Sequence, residues 1–354
     1  MALDVKVKID LKKPTGRMNS NFPLILAVEG EEVTDKAYVE CKTLDEVVAA
    51  GYTATTNTYK TAYLIFSQSD APAKIAIKNC AKDDEVETLK EILLKSWRQL
   101  VVVADGTTTE SSGKTNVNNT VEATKIKAIA DYIETTDKLY FCSVEDVTKI
   151  ATVKNATKTN DRTVVMVYKK DSSENDICPE AALVGATSGL SAGSFTYKNV
   201  ILAGITPQSL TDTEIEAIHT AGGLTFVTKA GDNVTTEGRT LGGEYIDIVD
   251  SKDFVISNIA YNVQKTFNSS KKIPYDNNGI AMLETATVEV LQEAFNNGII
   301  TTNEDNTPAY TVDFALREET TENDRYARKY PYGQFSFVLA GAIHTAEIQG
   351  EMSL

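Results

Sequence analysis

The chain has 354 residues, 42% of them hydrophobic and 24% charged, and carries a formal net charge of -15. That length and apolar content allow one large domain or two to three ordinary ones, and exclude gross disorder. The acidic balance speaks against general nucleic-acid binding and against attraction to anionic membranes, and no apolar run reaches the roughly 18 residues of a membrane span.

The first eleven residues are the most sharply patterned. Leu3, Val5, Val7, Ile9 and Leu11 alternate with Asp4, Lys6, Lys8 and Asp10, which predicts a strand with one apolar face. Residues 12–21, polar and holding Pro14 and Gly16, form a linker too long for a tight hairpin. The strand must therefore pair with something distant in the fold or in another subunit. The start, Met1-Ala2-Leu3-Asp4, has no basic head and no apolar signal core, so the chain is expected to stay in the compartment where it is made.

Strand signals then cover Phe22 to Val28 and Lys36 to Cys41, and Thr43 with Glu46 predicts a capping box for a short helix closed by Gly51. From Ala73 onward strands and helices alternate. Strands are expected at 75–77, 100–103, 139–142 and 164–168; helices are expected from Asp83 to Leu93, over 121–133 and around 180–184. Two polar stretches, 105–119 and 154–161, are expected as surface loops. Thr211 with Glu214 and a later Gly222 predicts another capped helix, followed by a strand at Thr225 to Val227. Phe335, Phe337 and Leu339 alternate near the other end. His344 to Met352 then reads as a strand with Ala346, Ile348 and Met352 on one face. Both terminal strands either complete the chain's own sheet or hold neighbouring copies by strand addition.

Candidate chemistry is sparse. Gly106, Gly113, Lys114 and Thr115 stand between a strand and a helix, as a phosphate loop would, but six residues separate the two glycines where four are required. The four cysteines, Cys41, Cys80, Cys142 and Cys178, lack the close spacing of a zinc site and are expected to be reduced apolar residues. His219 is expected on a helix beside Ile215 and Ile218 in a structural role. No nucleophile elbow or dinucleotide fingerprint occurs. The chain is therefore read as a non-enzyme with no catalytic residue, no cofactor and no metal.

The second half carries an ordered series of motifs. An Asn199-containing segment (195–201) leads to the capped helix ending at Gly222, then a strand, then Gly238-Arg239-Thr240-Leu241. A long helix from Asp247 to Phe267 is expected next, then a unit of Val288, Leu291, Phe295, Gly298, Ile299 and Ile300, and a strand at 310–314. This order resembles that of contractile tail sheath proteins of bacteriophages and phage-tail-like bacteriocins, over roughly residues 180–354.

The resemblance implies an α/β (α+β) fold of helix-covered mixed sheets in two domains with strand-forming arms. The expected divisions are an N-terminal arm and linker at 1–21, an outer domain at 22–242, an inner, tube-facing domain at 243–334 and a C-terminal arm at 335–354. It implies a sheath subunit polymerising as stacked, six-fold rings around a tail tube, with baseplate and terminator proteins as further partners. The terminal strands would be exchanged between subunits, and a metastable extended lattice would contract without nucleotide. The particle, a virion tail or a released bacteriocin, would be assembled in the bacterial cytoplasm, with no nucleic-acid partner and no membrane insertion. Lys252, Lys265, Lys271, Lys272, Arg325, Arg328 and Lys329 are candidates for interface or tube contacts, weighed against solvated surface charge. The alternatives are a non-contractile structural or adhesion protein and an α/β enzyme.

Overall fold

Alternating apolar runs and amphipathic helices build a doubly wound layer. The computed structural model describes residues 22–29, 34–104, 108–109, 115–116, 123–170 and 178–346; the predicted strand at Leu3, Val5, Val7, Ile9 and Leu11, and the arm positions Ile348 and Met352, lie outside them. The first part runs β1 (Phe22–Val28), β2 (Val39–Cys41), α1 (Leu44–Ala49), α2 (Asn57–Phe66), β3 (Ile75–Cys80), α3 (Glu85–Ile92) and β4 (Trp97–Ala104). The pair β5 (Thr108–Thr109) and β6 (Thr115–Asn116) precedes α4 (Ala123–Ile133), β7 (Leu139–Val144), α5 (Ile150–Val153) and β8 (Thr163–Val167).

Six of these strands form one sheet in the order β2-β3-β1-β4-β7-β8, all parallel except the edge strand β2, which runs antiparallel to β3. Both faces are covered, and the period of two decides which residue goes where. Ile25, Ala27, Val101, Val103, Phe141 and Met166 enter one core; Leu24, Leu26, Leu100, Val102, Tyr140 and Val165 enter the other. Ala62 and Ile65 of α2 cover the first face, together with α6 (Pro179–Thr187). Leu89 and Ile92 of α3 and Ile126, Ile129 and Ile133 of α4 cover the second.

Beyond this layer come α7 (Asp212–Ala221) and the hairpin β9 (Phe226–Lys229) with β10 (Asp232–Thr235). Then follow α8 (Ile246–Ser269), α9 (Asn277–Asn296), β11 (Tyr310–Phe314), α10 (Glu322–Tyr326) and β12 (Gly333–Phe337). A third core forms where Phe254, Val255 and Ile259 of α8 meet Val290, Leu291 and Ala294 of α9, with Phe335, Phe337 and Leu339 packed on it. The 24-residue helix α8 is shared: Ile246 and Val249 sit in the first core, whereas Phe254 to Ile259 sit in the third. A division at 243 therefore falls before a helix whose first turns are anchored in the first core.

The architecture is mixed α/β, as expected, with corrections in detail. Thr43 caps α1 by accepting from the Glu46 N–H at 3.3 Å, but the Glu46 carboxylate accepts from the Lys42 N–H at 2.5 Å rather than from Thr43, so the capping box is half formed. The box at Thr211 and Glu214 is complete, and Gly222 ends α7 in the left-handed region at φ +93°. Helix α2 went unpredicted, because its buried face is Asn57, Thr58 and Thr61 as well as Ala62 and Ile65. Residues 335–337, placed in the C-terminal arm by sequence, pair antiparallel with β11 inside the chain's own fold. His344 to Ala346, read as the start of a strand, has no regular structure, and Ala346 is exposed. All four cysteines are free and buried. Among the described residues no helix is long and apolar enough to cross a membrane, and no cluster could hold a metal ion.

Candidate assembly site

The motif residues singled out from sequence converge on one place. Gly238 packs against the backbone of Tyr197 and Lys198, and a Cβ there would approach Lys198 N at 3.0 Å. A Cβ on Gly222 would approach the Leu241 carbonyl at 2.9 Å. Leu241 is fully buried in the second core and its N–H donates to the Thr163 carbonyl at 2.8 Å, at the head of β8. The Ile246 N–H donates to the Gly238 carbonyl at 3.0 Å, so the same turn starts α8. Gly238-Arg239-Thr240-Leu241 is thus a staple that ties the edge of the large sheet to the long helix. Asn199 contributes a backbone at φ +61°, with its N–H on the Thr235 carbonyl, and its side chain is exposed. Its role is conformational: asparagine tolerates the left-handed region.

Arg239 is the motif's one charged member. Its guanidinium lies over the Tyr245 ring at 4.3 Å and donates to the Tyr245 hydroxyl at 2.6 Å. His344 of the C-terminal segment meets the same tyrosine edge to face: its ring centroid is 4.8 Å from that of Tyr245, and its Nδ1 is 3.4 Å from Glu237 Oε1. Burial alone pushes the Glu237 carboxyl up, but the Gly238 N–H and the charges of Lys198, His219 and Arg239 hold it below the ordinary range. His219, on α7, shares a 2.9 Å hydrogen bond with Thr236 Oγ1, and burial lowers its pKa.

A second cluster escaped the sequence reading. Arg98 of β4 reaches Asp250 Oδ1 at 2.8 Å and Asp253 Oδ2 at 2.7 Å, both on α8. Arg162 completes a bidentate pair with Asp253, and the Tyr197 hydroxyl donates to Asp250 Oδ2 at 2.8 Å. Arg98, Asp250 and Asp253 are 5%, 3% and 6% exposed. Burial opposes the Arg98 charge, yet Asp253 and Asp250 overcome it and raise its pKa further. The Asp253 carboxyl, pushed up by burial, is brought below its usual value by Arg98 and Arg162. This network clamps α8 to the six-stranded sheet. Widely separated single charges leave no pattern in a sequence; the nearest signal was the pair of acids at 250 and 253 on the apolar side of a predicted helix.

The candidate contact residues do not form one patch with these clusters. Lys252, Lys265, Lys271, Lys272, Arg328 and Lys329 are exposed and form no ion pair with a described residue. Arg325 is half-buried and spends its Nη1 on the Thr320 carbonyl at 2.5 Å and on Thr320 Oγ1 at 3.1 Å, so it serves its own chain.

The comparisons agree with this architecture. Residues 246–352 match the model of a family described as E217 tail sheath protein gp31-like, C-terminal domain. Over its whole length the chain is similar to a chain of the anti-feeding prophage (AFP) baseplate, 6-fold symmetrised, with a TM-score of 0.71 and 13% identity, covering 99% of this chain and 98% of that one. It is similar to the AFP helical sheath in its contracted state, with a TM-score of 0.69, 13% identity and coverage of 99% and 98%. The sheath complex of the extracellular contractile injection system PVC, also contracted, gives 0.67, 14%, 100% and 97%. No curated protein matches in sequence. The matched family and the AFP and PVC sheath neighbours are structural sheath components, not enzymes. The whole chain thus has the fold of contractile sheath proteins, and its residues 246–352 match the C-terminal domain of a tail sheath family.

Proposed function

We propose that the chain is the structural subunit of a contractile tail sheath. It would polymerise as stacked, six-fold rings around a tail tube, between baseplate and terminator proteins, in a virion tail or a released particle assembled in the bacterial cytoplasm. The observation that carries the reading is the whole-length likeness to a contracted sheath, joined to the family match of residues 246–352.

The linkage between subunits would be strand addition through the terminal arms, which sequence places at Leu3 to Leu11 and from Ala346 onward. One feature of the fold supports it. β11 and β12 form a two-stranded sheet, and among the described residues each strand has one partner and one open edge. Isolated two-stranded sheets are weak, and open edges accept added strands.

The work would be mechanical. An extended lattice trapped at assembly relaxes to a contracted one that buries more surface, and each subunit passes the change on through its donated strands. The buried clamp of Arg98, Asp250 and Asp253 supports this, because a subunit that transmits force must move α8 with its outer sheet. Domain divisions near 21 and 242 follow from the same reading.

Electron microscopy of the purified full chain beside a chain lacking residues 1–16 tests it. Striated tubes from the full chain alone are expected. Dispersed monomers from both at high concentration would overturn the proposal.

A further inference from the structure

The segment 341–346 has no regular structure, yet one of its residues is held from several sides. The His344 ring packs on Tyr245, its Nδ1 faces Glu237, and its carbonyl accepts from Lys198 Nζ at 3.0 Å. Its side chain is 13% exposed. The neighbouring apolar residue, Ile343, is 91% exposed and so has no cover among the described residues. Gly341, at φ +64° with open space around its Cβ position, precedes the anchor as a natural swivel.

The seat is well built on one side and incomplete on the other. Tyr245 is locked beneath Arg239, so the aromatic floor is rigid. His344 Nδ1, however, is buried without a hydrogen-bond partner, because its 3.4 Å approach to Glu237 lies outside hydrogen-bond geometry. Asp247 Oδ1, nearby on α8, is likewise buried and unpartnered. A half-satisfied polar contact is costly to keep, and both atoms would gain water on release. The segment is thus held in a defined place by one residue and can leave without unfolding anything else.

We propose that Lys198, Glu237 and Tyr245 form a latch that holds the C-terminal segment, through His344, on its own subunit, and that a second copy of this chain draws the segment out on assembly. The device rests on the reading of the chain as a sheath subunit that donates its C-terminal arm. Its effect is to tether the base of the arm to its own subunit and so delay association until copies meet in the right geometry.

Carbethoxylation of the unassembled chain by diethyl pyrocarbonate, read by mass spectrometry, tests the latch, because a His344 ring 13% exposed in its seat reacts more slowly than a released one. Tyr245→Ala should speed labelling of His344 by about tenfold, the scale of one aromatic contact with its hydrogen bond, and Glu237→Gln by less. Hydrogen exchange of peptides covering β11 and β12 should not change, which separates release from unfolding. The same variants, followed by light scattering, should assemble with a shorter lag than the original chain. Unchanged labelling in Tyr245→Ala would overturn the latch. Faster labelling with an unchanged or longer lag would overturn its coupling to assembly. If no chain, variant or original, formed tubes, the sheath reading and the release step would fail together, while the labelling rates would still decide whether the seat holds.

Discussion

Arg98 in β4 and Asp250 in α8, 152 residues apart, meet through a 2.8 Å charged hydrogen bond with both side chains almost wholly buried. Asp253, one turn further along the helix, takes the same guanidinium nitrogen and adds Arg162. A buried pair is a poor source of net stability but a strong fixer of geometry, because either partner left alone is an uncompensated buried charge.

Truncating one partner should therefore be severe. Arg98→Ala leaves the buried Asp250 carboxylate with the Tyr197 hydroxyl and no cation, and we expect a loss of about 3–5 kcal/mol in unfolding free energy by urea titration. Replacing Arg98 and Asp250 together with apolar residues of similar size leaves the Asp253–Arg162 pair in place and should cost less. If the single and the double replacements proved equally harmful, the clamp would owe its importance to packing rather than charge.

The clamp also sets a pH dependence. The Asp253 carboxyl is pushed up by burial but held lower still by Arg98 and Arg162, so its folded pKa lies below its unfolded one, about 3.9. The unfolded chain binds this proton first. Its stabilisation is complete above about pH 3.9 and is lost as pH falls through the folded pKa. Glu180 has the opposite sign: burial raises its pKa, and Oε2 has no hydrogen-bond partner. Its charge costs stability as pH rises above about 4.3. Glu180→Gln should flatten that part of the stability–pH curve between pH 4 and 8 and leave the acid limb in place. A curve of unchanged shape would show that Glu180 is charged at no cost.

Two adjacent glycines after the motif should respond differently. A Cβ on Gly242 would lie 2.2 Å from the Thr159 carbonyl oxygen and 2.3 Å from Asp161 Oδ1, whereas the Cβ position of Gly243 is open and only its φ of +97° is demanding. Gly243→Ala should cost about 1–2 kcal/mol of backbone strain. Gly242→Ala should cost about 3 kcal/mol, because the loop at 159–161 must move. Thermal unfolding of the two variants gives the ranking, and a reversed order would refute the packing of the motif turn.

These residues also mark how far a sequence can be read. Helix α4 was legible because Ile126, Ile129 and Ile133 repeat at helical spacing and all are buried. α2 was not, since Asn57, Thr58 and Thr61 on its buried face look like a surface. α9 buries Ile280 and Leu283 at helical spacing, but Gly279, Ala286 and Thr287 share that face and dilute the periodic signal. β10 hid in the polar run Asp232-Asn233. For the site, the order of motifs was readable and led to the staple, but the roles were not. Leu241 and Gly238 act through packing, and Asn199 through its backbone angle. The clamp was invisible, because nothing local links Arg98 to Asp250. The seat of His344 was invisible for the same reason: alternation predicted a strand where the fold instead fixes one side chain.

The exposed lysines offer a test of assembly that leaves the subunit's own stability aside. Lys265, Lys271 and Lys272 are exposed and make no ion pair with a described residue. Reversing Lys271 and Lys272 to Glu should therefore change unfolding free energy by no more than about 0.5 kcal/mol. In a chain of net charge -15, copies repel unless such basic residues meet acidic ones across the contacts. The reversed variant should then need a higher protein concentration to form tubes, and added salt should narrow the gap by screening the new repulsion. Salt should have the opposite effect on the original chain if these lysines face acidic partners, because it screens an attraction there. Equal assembly of the two chains at every ionic strength would return these lysines to the solvated surface and move the search for the contact to the edges of β11 and β12.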